Sequence, residues 1–154
     1  MRDSLLTLVF AIAALTSASS FAELVGKETL PEKVLANFDK KHPNALDVTA
    51  RQKKHFGQDL YEIFFKEGEE KLIELYRVKG PFYVNGAYID ASGMVPPAAK
   101  DNLKAAFSNY EIKEAILVVN PNGPGEEFDF IVGSAGAEWS VSIDGEGKII
   151  SKDP

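Results

Sequence analysis

Cysteine does not occur in this chain. Its absence removes disulfides, thiolate nucleophiles, cysteine-ligated zinc and lipid-modified cysteine at once. Histidine is almost as scarce, with His42 and His55 the only two. A metal or proton-transfer role is the sharp reading of either. Two single histidines without a shared spacing point instead to structural places. His42 would fill a half-buried helix end, where a sister helix carries Phe107, and His55 would sit in the turn "KKHFGQ".

Positive charge is in deficit. Lysine and arginine number 17 against 23 aspartates and glutamates, for a net charge of −6. Nucleic-acid binding draws most of its affinity from a basic footprint, so no nucleic-acid partner is expected. Anionic lipid surfaces are disfavoured for the same reason. A protein partner or a cation fits.

Chemical motifs are missing too. There is no G-x-S-x-G elbow, no H-E-x-x-H and no G-x-x-x-x-G-K loop, so no catalytic residue and no cofactor is assigned and the chain reads as a non-enzyme. An EF-hand loop also fails: with Gly125 at its sixth position, Ile131 falls where the loop needs a carboxylate. "DGEGK" places Lys148 at a ligand position. No metal residue is assigned. A looser set of surface carboxylates, Asp129, Asp144 or Glu146, carries the alternative reading of a periplasmic cation-binding or sequestering protein.

No apolar run reaches the ~20 residues that a membrane-spanning helix needs. The run Leu5 to Thr16 follows Arg2 and precedes "SASSFA", with Ser20 and Ala22 at the minus-three and minus-one positions. That is the pattern of a secretory signal peptide cut after Ala22. Residues 1–22 are therefore expected to be removed, leaving a periplasmic or secreted protein of residues 23–154 with no membrane insertion.

What is present is a recurrence. "NFDKKHPNAL", Asn37 to Leu46, returns 65 residues later as "NLKAAFSNYE", Asn102 to Glu111. At that offset Pro31 falls on Pro96, Val34 on Ala99, Phe38 on Leu103 and Asn44 on Asn109. Both copies read as amphipathic helices entered through proline, the first with Thr29 and Glu32 in capping-box spacing. Each is followed by β-rich runs: "LDVTARQK", "DLYEIFFK", "KLIELYRV" and "FYVNGAYI", then "EIKEAILVV", "EEFDFIVG", "AEWSVSI" and "GKIIS". Alternation puts Phe128, Phe130 and Val132 on one face, with Trp139, Val141 and Ile143, while Ser140 and Ser142 face away. In the first half Tyr61, Ile63, Phe65, Ile73 and Leu75 are expected beneath the helix. The fold class is α+β, with two tandem repeats over residues 23–94 and 95–154, each one helix on an antiparallel sheet of about four strands.

Two units of "LP…V…F..KHPNA" followed by "YEIFF…G…KLIELY" resemble the PepSY-like group, whose fold is shared with the beta-lactamase-inhibitor protein. The resemblance runs from about Leu30 to Lys152. It implies two helix-on-sheet repeats joined into a curved surface, and a secreted or periplasmic protein-binding or inhibitory module without catalytic residues. The inter-repeat segment "YRVKGPFYVNGAYIDASGM" is the most aromatic stretch, and Tyr76, Phe82, Tyr83 and Tyr88 are the expected partner-binding residues. Closure of the seam between the halves is the alternative use for them.

Overall fold

Proline decides where each helix begins. Pro31 and Pro96 stand at the N-caps of α1, Glu32–Lys41, and α2, Pro97–Ala106, because a proline ring fixes φ for helix entry and has no N–H to leave unsatisfied. The expected capping box does not form. Thr29 lies in a 3-10 turn ahead of the helix, and its hydroxyl donates to the Gly26 carbonyl at 2.8 Å. The computed structural model describes residues 23–154; the expected signal segment lies outside the described residues.

Nine strands follow chain order: β1 Val25–Gly26, β2 Leu46–His55, β3 Gln58–Glu67, β4 Glu70–Arg77, β5 Phe82–Tyr88, β6 Glu111–Val119, β7 Glu126–Ser134, β8 Ala137–Asp144 and β9 Ile149–Asp153. They form one antiparallel sheet in the order β1 to β9. The expectation of two separate four-stranded sheets is thereby corrected. The junction strand β5 pairs with β6 through Gly86 and Val118, Ala87 and Leu117, and Tyr88 and Ile116. A junction rich in strand-forming residues has unpaired backbone groups on both sides, and fusing the halves satisfies them.

Both helices cover the same face of the sheet. Val34 and Phe38 of α1 pack on Ala50, Ile63, Phe65 and Tyr76, and Ala99 and Leu103 of α2 pack on Ala115, Phe128, Phe130, Val132, Val141 and Ile143. One register expectation fails. Ile63 pairs with Glu74 and Phe65 with Leu72, so Leu72, Glu74 and Tyr76 lie under α1, while Ile73 and Leu75 point to the opposite face. A one-residue slip exchanges the faces of a strand, and β4 conceals it because both of its faces are buried. Glu74 is tolerated beneath the helix because Lys41 and the Tyr76 hydroxyl donate to it. Burial favours its neutral form, but those bonds and His42 hold its carboxyl below the usual range.

The helix-free face curls inward. In a flat sheet β2 and β7, five places apart in the order, would stand about 24 Å from each other. Yet the Lys53 ammonium on β2 lies 2.5 Å from the Asp129 carboxylate on β7, so the sheet bends into an open half-barrel with the helices outside. Leu60, Ile73, Leu75, Tyr83, Ile116 and Val118 fill the floor of its trough. Gly86 marks the tightest approach there, since a Cβ would meet Ile73 Cγ2 at 3.0 Å.

The sequence recurrence has a local cause. Asn37 donates to the carbonyl of Gly80 in the β4–β5 turn at 2.9 Å, and Asn102 to that of Gly147 in the β8–β9 turn at 2.6 Å. Both glycines have positive φ, 118° and 90°, and both turns press on the first turn of a helix. A Cβ on Gly147 would meet Ala98 Cβ at 2.7 Å and backbone just beyond. Asn102→Ala should cost about 1 kcal/mol by loss of one hydrogen bond. Gly147→Ala should cost about 1–3 kcal/mol from the strained φ, and more from the clash. Urea unfolding of both variants checks the order, and a Gly147→Ala protein as stable as the parent would refute the tight-packing account.

Candidate functional site

Alternation along β2 sends Arg51, Lys53 and His55 to the trough, and β3 sends Glu62 to meet them. From the second half, β7 contributes Glu127 and Asp129, and β8 contributes Ser142. The His55 ring lies between carboxylates: Nδ1 is 2.8 Å from Glu127 Oε2, and Nε2 is 2.8 Å from Glu62 Oε1 and 3.4 Å from Asp129 Oδ2. Arg51 Nε donates to Glu62 Oε2 at 2.5 Å. Lys53 and the Ser142 hydroxyl both donate to Asp129 Oδ1, at 2.5 and 2.6 Å. The backbone N–H of Phe56 closes the set on Glu127 Oε1 at 3.0 Å.

His55 and Glu62 are wholly buried. An isolated buried charge is costly, so such a cluster persists only when partners neutralise it. With imidazolium at position 55, three cations face three carboxylates. Burial by itself would lower the imidazole pKa; hydrogen bonds to Glu127 and Glu62 and the charges of Asp129 and Glu62 outweigh it and raise it to about 9. Burial would raise Glu62, yet the His55 bond and the Arg51 charge hold its carboxyl well below the ordinary range.

Beside this cluster lies the opening of the half-barrel. β1 pairs with β2 only at Ala50 and Thr49, so among the described residues the stretch from Arg51 to His55 has a ladder partner on one side alone. β9 pairs only with β8. Between these two edges is a cavity of about 520 Å³ lined by Arg51, Lys53, Glu127, Ser140, Ser142 and Ser151, among others.

The sequence-predicted residues divide between environments. Tyr76 is buried beneath α1, against Phe38. Tyr83 is buried in the trough, its hydroxyl 3.4 Å from Gln58 and Asn120. Phe82 and Tyr88 are partly exposed, at 40% and 38%. Phe82 lies edge-on to Tyr76 with the Lys41 ammonium 3.9 Å over its ring. The four do not share one surface. Asp144 is occupied in its own turn, accepting from the N–H groups of Glu146 and Lys148, and Asp129 is buried in the charge cluster, so the loose carboxylate set is not assembled.

His42 ends α1 at its C-cap, its ring tilted against Phe38 and Phe65 and bonded to Glu67. His55 is not in a turn but ends β2; the sequence reading gave it a structural place, and it did not single out Arg51, Lys53, Glu62 or Glu127 at all. The available signal was three ionisable residues, Arg51, Lys53 and His55, alternating on one strand face; a solvated face gives the same pattern.

No protein-family model matches the chain, and no curated protein matches it. Among solved structures, it is similar to a DUF2874 family protein from Bacteroides uniformis at 19% identity and TM-score 0.48, covering 79% of this chain and 87% of that one. A DUF2874 family protein from Bacteroides ovatus gives 16% identity and TM-score 0.46, over 80% and 86%. A third, from Bacteroides vulgatus and provisionally described as a periplasmic protein of that family, gives 13% and 0.35, over 86% and 96%. The PepSY-like, beta-lactamase-inhibitor-like resemblance is corrected. Its two helix-on-sheet units are replaced by one continuous nine-stranded sheet among the described residues.

The charge cluster sets a pH window. The His55 contribution to stability is fully present below the unfolded imidazole pKa near 6.5 and is lost as pH rises through about 9. The Glu62 contribution is present above the unfolded carboxyl pKa near 4.5 and is lost as pH falls toward its depressed folded value. Stability should therefore peak between pH 4.5 and 6.5. His55→Leu should cost about 3–5 kcal/mol, because it strands buried carboxylates. Denaturant titration across pH checks both; a flat profile above pH 7 would show that His55 is neutral in the folded protein.

Proposed function

We propose that the chain is a non-catalytic binding module whose partner is a polypeptide, taken up as an extended segment along the opening between β2 and β9. The protein is periplasmic or secreted. The observation that carries the reading is the unpaired edge of β2 beside a cavity of about 520 Å³. Unpaired N–H and C=O groups on a strand edge are a template for another strand, and main-chain pairing supplies affinity while side-chain pockets select sequence. The lining supports the same use, since serines and lysines can bond a peptide backbone and its polar side chains. Partner binding that covers a secreted enzyme's own strand or loop would make the module an inhibitor.

Of the inter-repeat aromatics, Tyr88 is the one offered to a partner in the opening, while Phe82 lies by α1 against Tyr76 and Lys41. Tyr76 and Tyr83 support them from the two buried faces. Among the described residues no helix is long and apolar enough to cross a membrane.

Extended peptides selected by display on the immobilised protein provide the test, read by amide hydrogen exchange. Exchange should slow at residues 51–55 and 149–153 when a selected peptide binds. Slowing confined to α1 and α2 would overturn the assignment. Tyr88→Ala should leave the fold intact and weaken a selected peptide by more than ~1 kcal/mol, the scale of an interface anchor, and unchanged affinity would remove Tyr88 from the proposed contact.

A further inference from the structure

We propose that His55 Nε2, Glu62 Oε1 and Asp129 Oδ2 form a binding site for a small divalent transition cation of the zinc class. These three atoms lie within 4.8 Å of one another. The inference is independent of peptide binding along the opening.

The carrying observation is that each ligand group has one atom held from outside and one turned inward. The Nδ1 side of His55 is held by Glu127 at 2.8 Å, which directs Nε2 to the centre. Arg51 holds Oε2 of Glu62 and leaves Oε1 facing His55. Lys53 and Ser142 hold Oδ1 of Asp129. Its Oδ2 is buried with no hydrogen-bond partner, although the residue is only 3% exposed. A buried carboxylate oxygen without a donor is a costly feature. A cation bound at the centre would satisfy it.

Outer partners that fix the tautomer and orientation of metal ligands are a regular part of such sites. Bond lengths near 2.0–2.1 Å at tetrahedral angles put neighbouring ligand atoms about 3.3 Å apart. The Nε2 to Oδ2 distance, 3.4 Å, already matches that edge, and the Nε2 to Oε1 distance, 2.8 Å, must open by about half an ångström for such a site. One imidazole and two carboxylates suit zinc-class ions. Calcium and magnesium prefer more numerous oxygen ligands and no imidazole. The ion takes the place of the Nε2 proton that His55 shares with Glu62 Oε1 in the metal-free cluster, and that proton leaves to solvent; two carboxylates then neutralise the divalent charge, and the outer carboxylate Glu127 offsets part of the Arg51 and Lys53 charge. The cavity beside the cluster is lined by Arg51, Lys53, Glu127 and Ser142, the groups that bond the three ligands, so an ion reaching it is one side-chain layer from the centre.

Zinc and cobalt ions titrated into tag-free protein test the site, since the chain has no cysteine and only one other histidine to interfere. One equivalent of cobalt should give the intense visible bands of four-coordinate geometry. Zinc affinity should fall about tenfold or more in His55→Gln, Asp129→Asn and Glu127→Gln, and stay unchanged in His42→Gln and Asp144→Asn. A cobalt spectrum that remains six-coordinate, or zinc binding that survives His55→Gln, overturns the proposal. Loss of binding in Asp144→Asn instead would return the ion to surface carboxylates and overturn it equally. Should the cluster variants fail to fold, nitrogen NMR of the unaltered protein decides: zinc should shift Nε2 of His55 and not His42, and the reverse result refutes the site.

Discussion

The bond between the His55 ring and Glu127, across the inside of the sheet, is the constraint on which the rest of this structure depends. The two residues are 72 positions apart in sequence and lie on strands that would be far apart in a flat sheet. Hydrogen-bond distance is an exacting requirement, and meeting it together with the Lys53–Asp129 pair fixes how far the sheet must curl. Apolar burial drives the curling, because Leu60, Ile73, Leu75, Ile116 and Val118 leave water only if the trough closes over them. It is non-directional, however, and would accept a range of curvatures. The charged cluster accepts few, since a misplaced partner leaves a buried ion unpaired.

The outer face obeys a different rule. There the two helices are held to the sheet by apolar contact and by one asparagine each, bonded to a glycine carbonyl in the turn that follows the third long strand of its half. These clamps are nearly identical, each tying a helix to a turn more than forty residues further along the chain. The inner face has no such pairing: β2 and β3 supply the cations and Glu62, and β7 and β8 supply acids and a hydroxyl. Duplicated helices on the outside thus coexist with complementary, unlike halves on the inside, which is possible because successive side chains on a strand serve opposite faces.

Function follows from where the curling stops. The edge of β2 beyond Ala50 and the outer edge of β9 have no ladder partner among the described residues, and the opening between them is lined by serines and by outer partners of the charge cluster. An open barrel of this kind keeps both a main-chain template and a guarded interior. The aromatic junction between the halves, by contrast, is spent largely on structure, with Tyr76 and Tyr83 buried on opposite faces and only Phe82 and Tyr88 left near solvent.

Much of the secondary structure was legible because its signals are local. Proline entry placed both helices, alternation placed β7 and β8, and glycine-rich turns separated the hairpins. Local signals failed where a residue has two buried environments to choose between. Leu72, Ile73, Leu75 and Tyr76 are all apolar or aromatic, so nothing in β4 itself says which pair lies under α1; the answer came from pairing with β3. His55 escaped for a related reason, as a charged residue near a turn looks solvated until its partners, dozens of residues away, are brought to it. By itself, then, the sequence determined the elements, the helix-covered faces of β3, β7 and β8, and the recurrence of Asn37 as Asn102, since those are read from patterns along the chain. Only the tertiary structure decided that the halves fuse into one sheet, that it curls, and that three acids converge on one imidazole, because those facts rest on distances between residues that the chain order does not encode.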